Sequence, residues 1–179
     1  GKRIKTDKRD ARLIAHCLSY GGYNPVYIPT GEDDAVKEYL RMRDDHKLAL
    51  KSLKQRINAF VLRHGYKYTG TKWTKRHIPW LKQLELDPMY RETLNEYMAS
   101  YEEQKTKIER YDKRIEEIAA EVRYQENAQK LGCFLGIRTH TALSLIVETG
   151  DFKRFGKGNT YAAFLGLAPG ERSSSANVN

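Results

Sequence analysis

Cysteine is nearly missing from this 179-residue chain, proline is sparse, and no long apolar run exists. Cys17 and Cys133 are too few and too widely separated for a disulfide framework, which points to a reducing cytosol. No apolar stretch approaches the roughly 20 residues that cross a bilayer, and no secretory leader is visible. The chain therefore reads as cytoplasmic, with no membrane partner. Glycine and proline are absent between Gly31 and Gly65 and again between Pro88 and Gly132, so nothing interrupts a helix in either run. Acids are absent from Arg63 to Lys82, "RHGYKYTGTKWTKRHIPWLK".

What is present is charge. Charged residues make up 31% and hydrophobic ones 40%, a balance of a folded, helix-rich chain rather than a disordered one. A formal net charge of +9 favours a polyanionic partner, most simply nucleic acid. The length suits one medium domain or two small ones. The chain starts at Gly1 and stops within "SSSANVN", which reads as a piece of a larger protein.

Periodicity sets the expected fold class: mainly α, with long antiparallel coiled-coil helices joined to a small helix-hairpin-helix-like domain. In the second uninterrupted run, Tyr90, Leu94, Tyr97, Tyr101, Gln104, Ile108, Tyr111, Ile115, Ile118 and Val122 alternate by four and three, a heptad seam. The first run has a weaker seam, Val36 to Phe60, interrupted by Arg43 and His46, which could set register. The seam can close within one chain or between copies, and a homo-oligomer through the coiled coil is expected. Residues 12–20 read as a short helix ahead of the turn-rich "GGYNPVYIPTG". The expected organisation is 1–31, then 32–127 with a basic aromatic linker at 63–87, then 128–179.

The linker is the candidate nucleic-acid surface. Arg63, Lys67, Lys72, Lys75, Arg76 and Lys82 can neutralise phosphates, and interleaved rings such as Trp73 can stack on unpaired bases of RNA or single-stranded DNA. The bland reading is a solvated loop whose rings pack on the helix ends. After residue 128 the pattern is helix, glycine turn, helix, and a second turn at Gly150-Asp151, followed by "TYAAFLGLAPG" and the hydroxyl cluster Ser173, Ser174 and Ser175. On composition alone that cluster is a loop. In "KTDKRDA", Asp7 and Asp10 share a face if helical and could hold a divalent cation. They could equally sit at a helix start, with Thr6 or Asp7 as cap and Asp10 complementing the dipole.

Three motifs, in order along the chain, add a resemblance. "GKRIKTDKRDARLIA", "LGIRTHTALSLIVETGDFKRF" and "YAAFLGLAPGERSSS" resemble the DEDD-type insertion-sequence transposases, a family that includes pilin-gene invertases and bridge-RNA-guided recombinases. The resemblance implies the end of a ribonuclease H-like (RuvC-type) domain, a helical middle and the start of a serine transposase domain. It implies Mg2+ held by four acids, of which Asp7 and Asp10 match the last two. It also implies a serine nucleophile that attacks the DNA backbone, matched by Ser174 with Ser173 as runner-up. Ser175 stands where the family pattern has glycine, and Arg138 replaces a glycine of the hairpin turn. DNA is the implied substrate, with a guide RNA as a further expected partner. The intact enzyme would move an insertion sequence by strand cleavage and rejoining, and the 179-residue chain alone would be inactive. The alternatives are a non-catalytic coiled-coil nucleic-acid-binding module and a junction-resolving nuclease.

Overall fold

The computed structural model describes residues 6–23, 28 and 31–167, and the described residues are helical with no strand. The order is α1 (Asp7–Ser19), α2 (Gly31–Arg63), α3 (His77–Gln83), α4 (Pro88–Ala119), α5 (Gln125–Gly132), α6 (Thr139–Thr149), a 3-10 turn (Phe152–Arg154) and α7 (Gly158–Phe164). The mainly α expectation holds, and both uninterrupted runs produce long helices. Pro88 occupies the first turn of α4, where its missing N–H costs nothing.

Helices α2 and α4 lie antiparallel against each other within one chain. Phe60 meets Tyr90 and Tyr97, Arg43 meets Asp112, and Asp33 meets Arg123, so one chain index falls as the other rises. Each end of the hairpin has its own apolar core. Around the linker, Ile57, Phe60, Leu81, Leu94, Met98 and Tyr101 are buried together. At the other end, Leu40, Ile115, Ile118, Tyr124, Leu143 and Val147 are buried together, which docks α6 onto the hairpin.

A polar layer separates the two cores. His46 Nδ1 lies 2.9 Å from Gln104 Oε1, and the Tyr111 hydroxyl lies 3.4 Å from His46 Nε2. One helical turn away, Arg43 clamps Asp112 through Nε at 2.7 Å and Nη2 at 2.6 Å. A slipped register would strand these groups against apolar neighbours, so the layer favours a single alignment of the two helices. The seam residues Leu94, Tyr101, Ile108, Ile115 and Ile118 are buried inside this single chain.

The seam does not run to its expected end. Helix α4 stops at Ala119, Val122 is left 96% exposed, and the chain turns so that Tyr124 enters the core at 1% exposure. Its hydroxyl donates to Asp33 Oδ1 at 2.8 Å, while Arg123 donates to both Asp33 oxygens. That three-residue lock ties the start of α2 to the turn after α4, and ends the helix where periodicity alone would continue it.

The linker is ordered by a histidine. His77, at the start of α3, is 1% exposed, and its Nδ1 accepts the backbone N–H of Trp73 at 3.0 Å. Trp73 has φ of 63°, a left-handed conformation that costs a bulky residue energy and must be held by its surroundings. Burial, with Lys72 nearby, holds the His77 imidazole below its ordinary pKa of 6.5. Folding therefore favours the neutral ring: this contribution is complete above that ordinary value and is lost as pH falls through the lowered folded value. The chain is expected to melt at lower temperature at about pH 5 than at about pH 7.5, with part of that sensitivity removed by His77→Gln, whose amide can still accept the bond. Equal acid sensitivity in thermal melts of both proteins would contradict this role.

Candidate nucleic-acid interface and catalytic residues

The acid-free linker presents its cations outward. Arg63, Lys67, Lys72, Lys75, Arg76 and Lys82 are all exposed. Its rings turn the other way. Trp73 packs against Tyr101 with centroids 4.9 Å apart and lies under Lys54 Nζ at 5.4 Å. Trp80 stacks on His77, Tyr68 contacts both His77 and Trp80, and the Tyr66 hydroxyl donates to the Glu85 carbonyl. Trp73, Trp80 and Tyr66 cover the linker-end core and remain only partly accessible. Charge and rings, interleaved in sequence, are thus separated in space: cations on the surface, aromatic faces engaged within the protein.

Asp7 and Asp10 both fall in the first turn of α1, three residues apart and hence neighbours on one face. Asp7 is exposed and Asp10 half-buried. Thr6 holds the N-cap position in extended conformation but makes no side-chain cap bond, and its carbonyl accepts from the N–H groups of Arg9 and Asp10. Both acids complement the helix dipole. Among the described residues no third His, Cys, Asp or Glu joins them in a metal-ready group. Two carboxylates are nevertheless about what Mg2+ takes from a protein, since it retains waters and substrate phosphate oxygens for the rest. The pair fits part of such a shell. Ser173 and Ser174 lie outside the described residues.

One feature had no signal strong enough to single it out in the sequence. Between α4, α5 and the start of α6 opens a cleft of about 800 Å³, with Arg43, Lys47, Asp112, Arg138 and His140 on its walls. The glycine turn before α6 needs a left-handed residue, supplied by Gly136 at φ 89°. Arg138 takes the N-cap position of α6 without a side-chain cap bond. The His140 Nε2 is buried and lies 3.3 Å from Asp44 Oδ1, at an angle that makes no hydrogen bond. Burial is the main influence on the ring and lowers its pKa despite the nearby Asp44. A single histidine in a helical sequence reads as core or seam, and the carboxylate facing it comes from a helix about a hundred residues earlier.

Residues 128–179 match the family described as Transposase IS116/IS110/IS902 family. Over 155 residues the chain is 38% identical to the "Transposase for insertion sequence element IS1533" of Leptospira borgpetersenii, covering 84% of this chain and 45% of that protein. It is 30% identical over 180 residues to "Putative transposase y4qE" of Sinorhizobium fredii, covering 97% of this chain and 42% of that one. To the "Transposase for insertion sequence element IS1111A" of Coxiella burnetii it is 28% identical over 177 residues, covering 97% and 48%. The chain thus spans a little under half the length of these curated relatives. No solved structure matches it.

Proposed function

We propose, on the premise that this chain belongs to an insertion-sequence transposase family, that it is part of an enzyme moving an insertion sequence by DNA strand cleavage and rejoining. The observation that carries the reading is similarity along 97% of the chain to a putative transposase, with the family match falling on the segment that holds the serines. In this reading, residues 1–31 end a ribonuclease H-like domain, 32–127 form a coiled-coil spacer with its linker at 63–87, and 128–179 begin the serine domain.

Ser174, with Ser173 as the alternative, is the nucleophile. Its Oγ attacks a backbone phosphorus, one P–O bond forms as another breaks, the serine proton is released, and a deoxyribose hydroxyl leaves carrying a proton. The phosphoserine link keeps the phosphodiester's energy, so attack by another hydroxyl can rejoin the strand without an outside cofactor. Asp7 and Asp10, with acids from beyond this chain, hold Mg2+. When bound, the ion stabilises negative charge on the reacting phosphate. Glu171 is the sole acid in "GERSSSANVN", so activation of the serine depends on residues elsewhere in the assembly. A second copy, or a guide RNA, completes the partner set. The single-chain seam leaves only outer faces of the hairpin for pairing between copies.

The test uses the full-length protein and DNA bearing the element's ends. Ser174→Ala should abolish a covalent protein–DNA adduct, while Asp10→Ala should slow its formation by several orders of magnitude. Mixing the two variants should restore some activity if copies share a site. An adduct that survives replacement of Ser173, Ser174 and Ser175 together would overturn the serine mechanism.

A further inference from the structure

Acids are absent over a longer stretch than the linker. From His46 to Leu84 there is no Asp or Glu, and the interval holds ten Lys and Arg residues. The structure shows what that composition does. In the first half of α2, Lys37 and Arg41 pair with Glu148, and Arg43 pairs with Asp112. From Lys47 onward, no cation through Lys82 meets a carboxylate of the described residues. Two α4 carboxylates further along instead serve lysines of α4 itself, Glu103 with Lys107 and Glu109 with Lys105. Along α2, paired and unpaired cations therefore divide at about one point, and the unpaired half ends in the linker.

Lys47, Lys51 and Lys54 follow each other by four and three, so they form a line along one side of α2 with steps of about 6 Å and about 4.5 Å along the axis. The line has fixed ends. Lys47 stands on the wall of the cleft before α6, near Arg138. Lys54 reaches over Trp73, the residue next to Lys72. The row thus bridges the α6 cleft and the linker.

We propose that Lys47, Lys51 and Lys54 extend the linker surface into one continuous track for the phosphodiester backbone of double-stranded DNA. The inference rests on the reading of the linker cations as a phosphate-binding surface, extends it by three residues, and replaces the single-stranded occupant suggested by the sequence with a duplex. Charge complementarity selects a polyanion, because unpaired cations in a line neutralise successive phosphates and release counterions. The engaged rings select a duplex over a single strand: Trp73, Trp80 and Tyr68 spend their faces on Tyr101, His77 and each other, which leaves little platform for unpaired bases. A track of lysines without base-reading side chains binds with little sequence preference and holds the duplex in position.

The experiment measures binding of the 179-residue chain to labelled random-sequence DNA duplex between about 50 and 200 mM salt. Three variants are compared: Lys47→Gln with Lys51→Gln and Lys54→Gln; Lys72→Glu with Lys75→Glu and Arg76→Glu; and a control, Arg110→Gln with Lys113→Gln and Arg114→Gln. At about 0.9 in slope per phosphate contact, the first triple should flatten the salt dependence by about 2.7, so that affinity lost across that range shrinks roughly 40-fold. The control should leave the slope unchanged, and circular dichroism should show all variants helical. If Lys54→Gln disturbs its contact with Trp73, the Lys47→Gln, Lys51→Gln pair still predicts about 1.8 in slope. An unchanged slope in the first triple with weakened binding in the second removes α2 from the track and leaves the linker reading standing. Unchanged binding in both overturns the linker reading as well. Tighter binding of a single strand or of an RNA duplex, lost in the first triple, overturns the assignment to double-stranded DNA.

Discussion

Ile108→Lys combined with Ile115→Lys is expected to unfold the hairpin as a monomer, and not merely to separate two copies. Ile115 is 1% exposed and packs with Leu40, Leu143 and Val147, while Ile108 is 8% exposed. Each change forfeits about 1.5–3 kcal/mol of apolar burial and buries an unpaired ammonium at a cost of several kcal/mol. Against a total stability of about 5–15 kcal/mol, two such changes exceed what a domain of this kind holds in reserve. The lysine stems can reach toward water, which lowers the cost but opens the interface around them. Circular dichroism and sedimentation together check the result: loss of helix at low concentration is expected. A helical, monomeric double variant would show that the seam is not what holds α2 to α4. Ile115→Val, at about 0.5–1.5 kcal/mol, should leave the fold intact and lower the melting temperature slightly.

Asp33→Ala should be the most damaging single polar change. Asp33 is a buried carboxylate that accepts from Arg123 Nε at 3.0 Å, Arg123 Nη2 at 2.8 Å and the Tyr124 hydroxyl at 2.8 Å. Removing it leaves the Tyr124 hydroxyl without its acceptor inside the core, while the Arg123 side chain, 40% exposed, can recover water. Breaking a buried pair costs about 3–5 kcal/mol, and the partial hydration of Arg123 brings the expectation to about 2–4 kcal/mol. The same site has a spectroscopic signature. Burial first, and then the hydrogen bond to Asp33, pushes the Tyr124 phenol up from 10.0 to about 12. Because the folded value is raised, this group's contribution is complete below the ordinary value and is lost as pH rises through about 12. Ultraviolet titration should find Tyr124 titrating late beside the buried Tyr101 in the native chain, and Tyr124 alone moving earlier in Asp33→Asn. An ordinary value for the Tyr124 phenol in the native chain, assigned by comparison with Tyr124→Phe, would contradict the lock.

Both results depend on pairings that no single segment encodes. The two long helices were legible because backbone preference is local: two runs without glycine or proline, one opened by Pro88, leave little besides helix. The turn at Gly150 and the short helices of the last third were legible for the same reason. The end of α4 was not, because Val122 continues the heptad while the chain instead turns to bury Tyr124 against Asp33. Helix α3 was hidden within a segment read as linker, since its start depends on His77 accepting from a left-handed Trp73.

The candidate site divides along the same line. Residue types and their order carried the resemblance to insertion-sequence transposases, the proposal for Asp7, Asp10 and the serines, and the basic character of the linker. Those signals are chemical and survive without coordinates. Which side of the linker faces out was decided by packing alone: apolar ring area leaves water, so Trp73, Trp80 and Tyr66 cover the core and the cations stay hydrated. Whether a lysine is free was likewise decided in three dimensions. Lys37 and Lys47 sit ten residues apart on one helix, and the fold pairs the first with Glu148 while giving the second no ion pair among the described residues. A charge is written in the sequence, but its neutralisation depends on distance, and distance across this hairpin exists only once α2, α4 and α6 have packed.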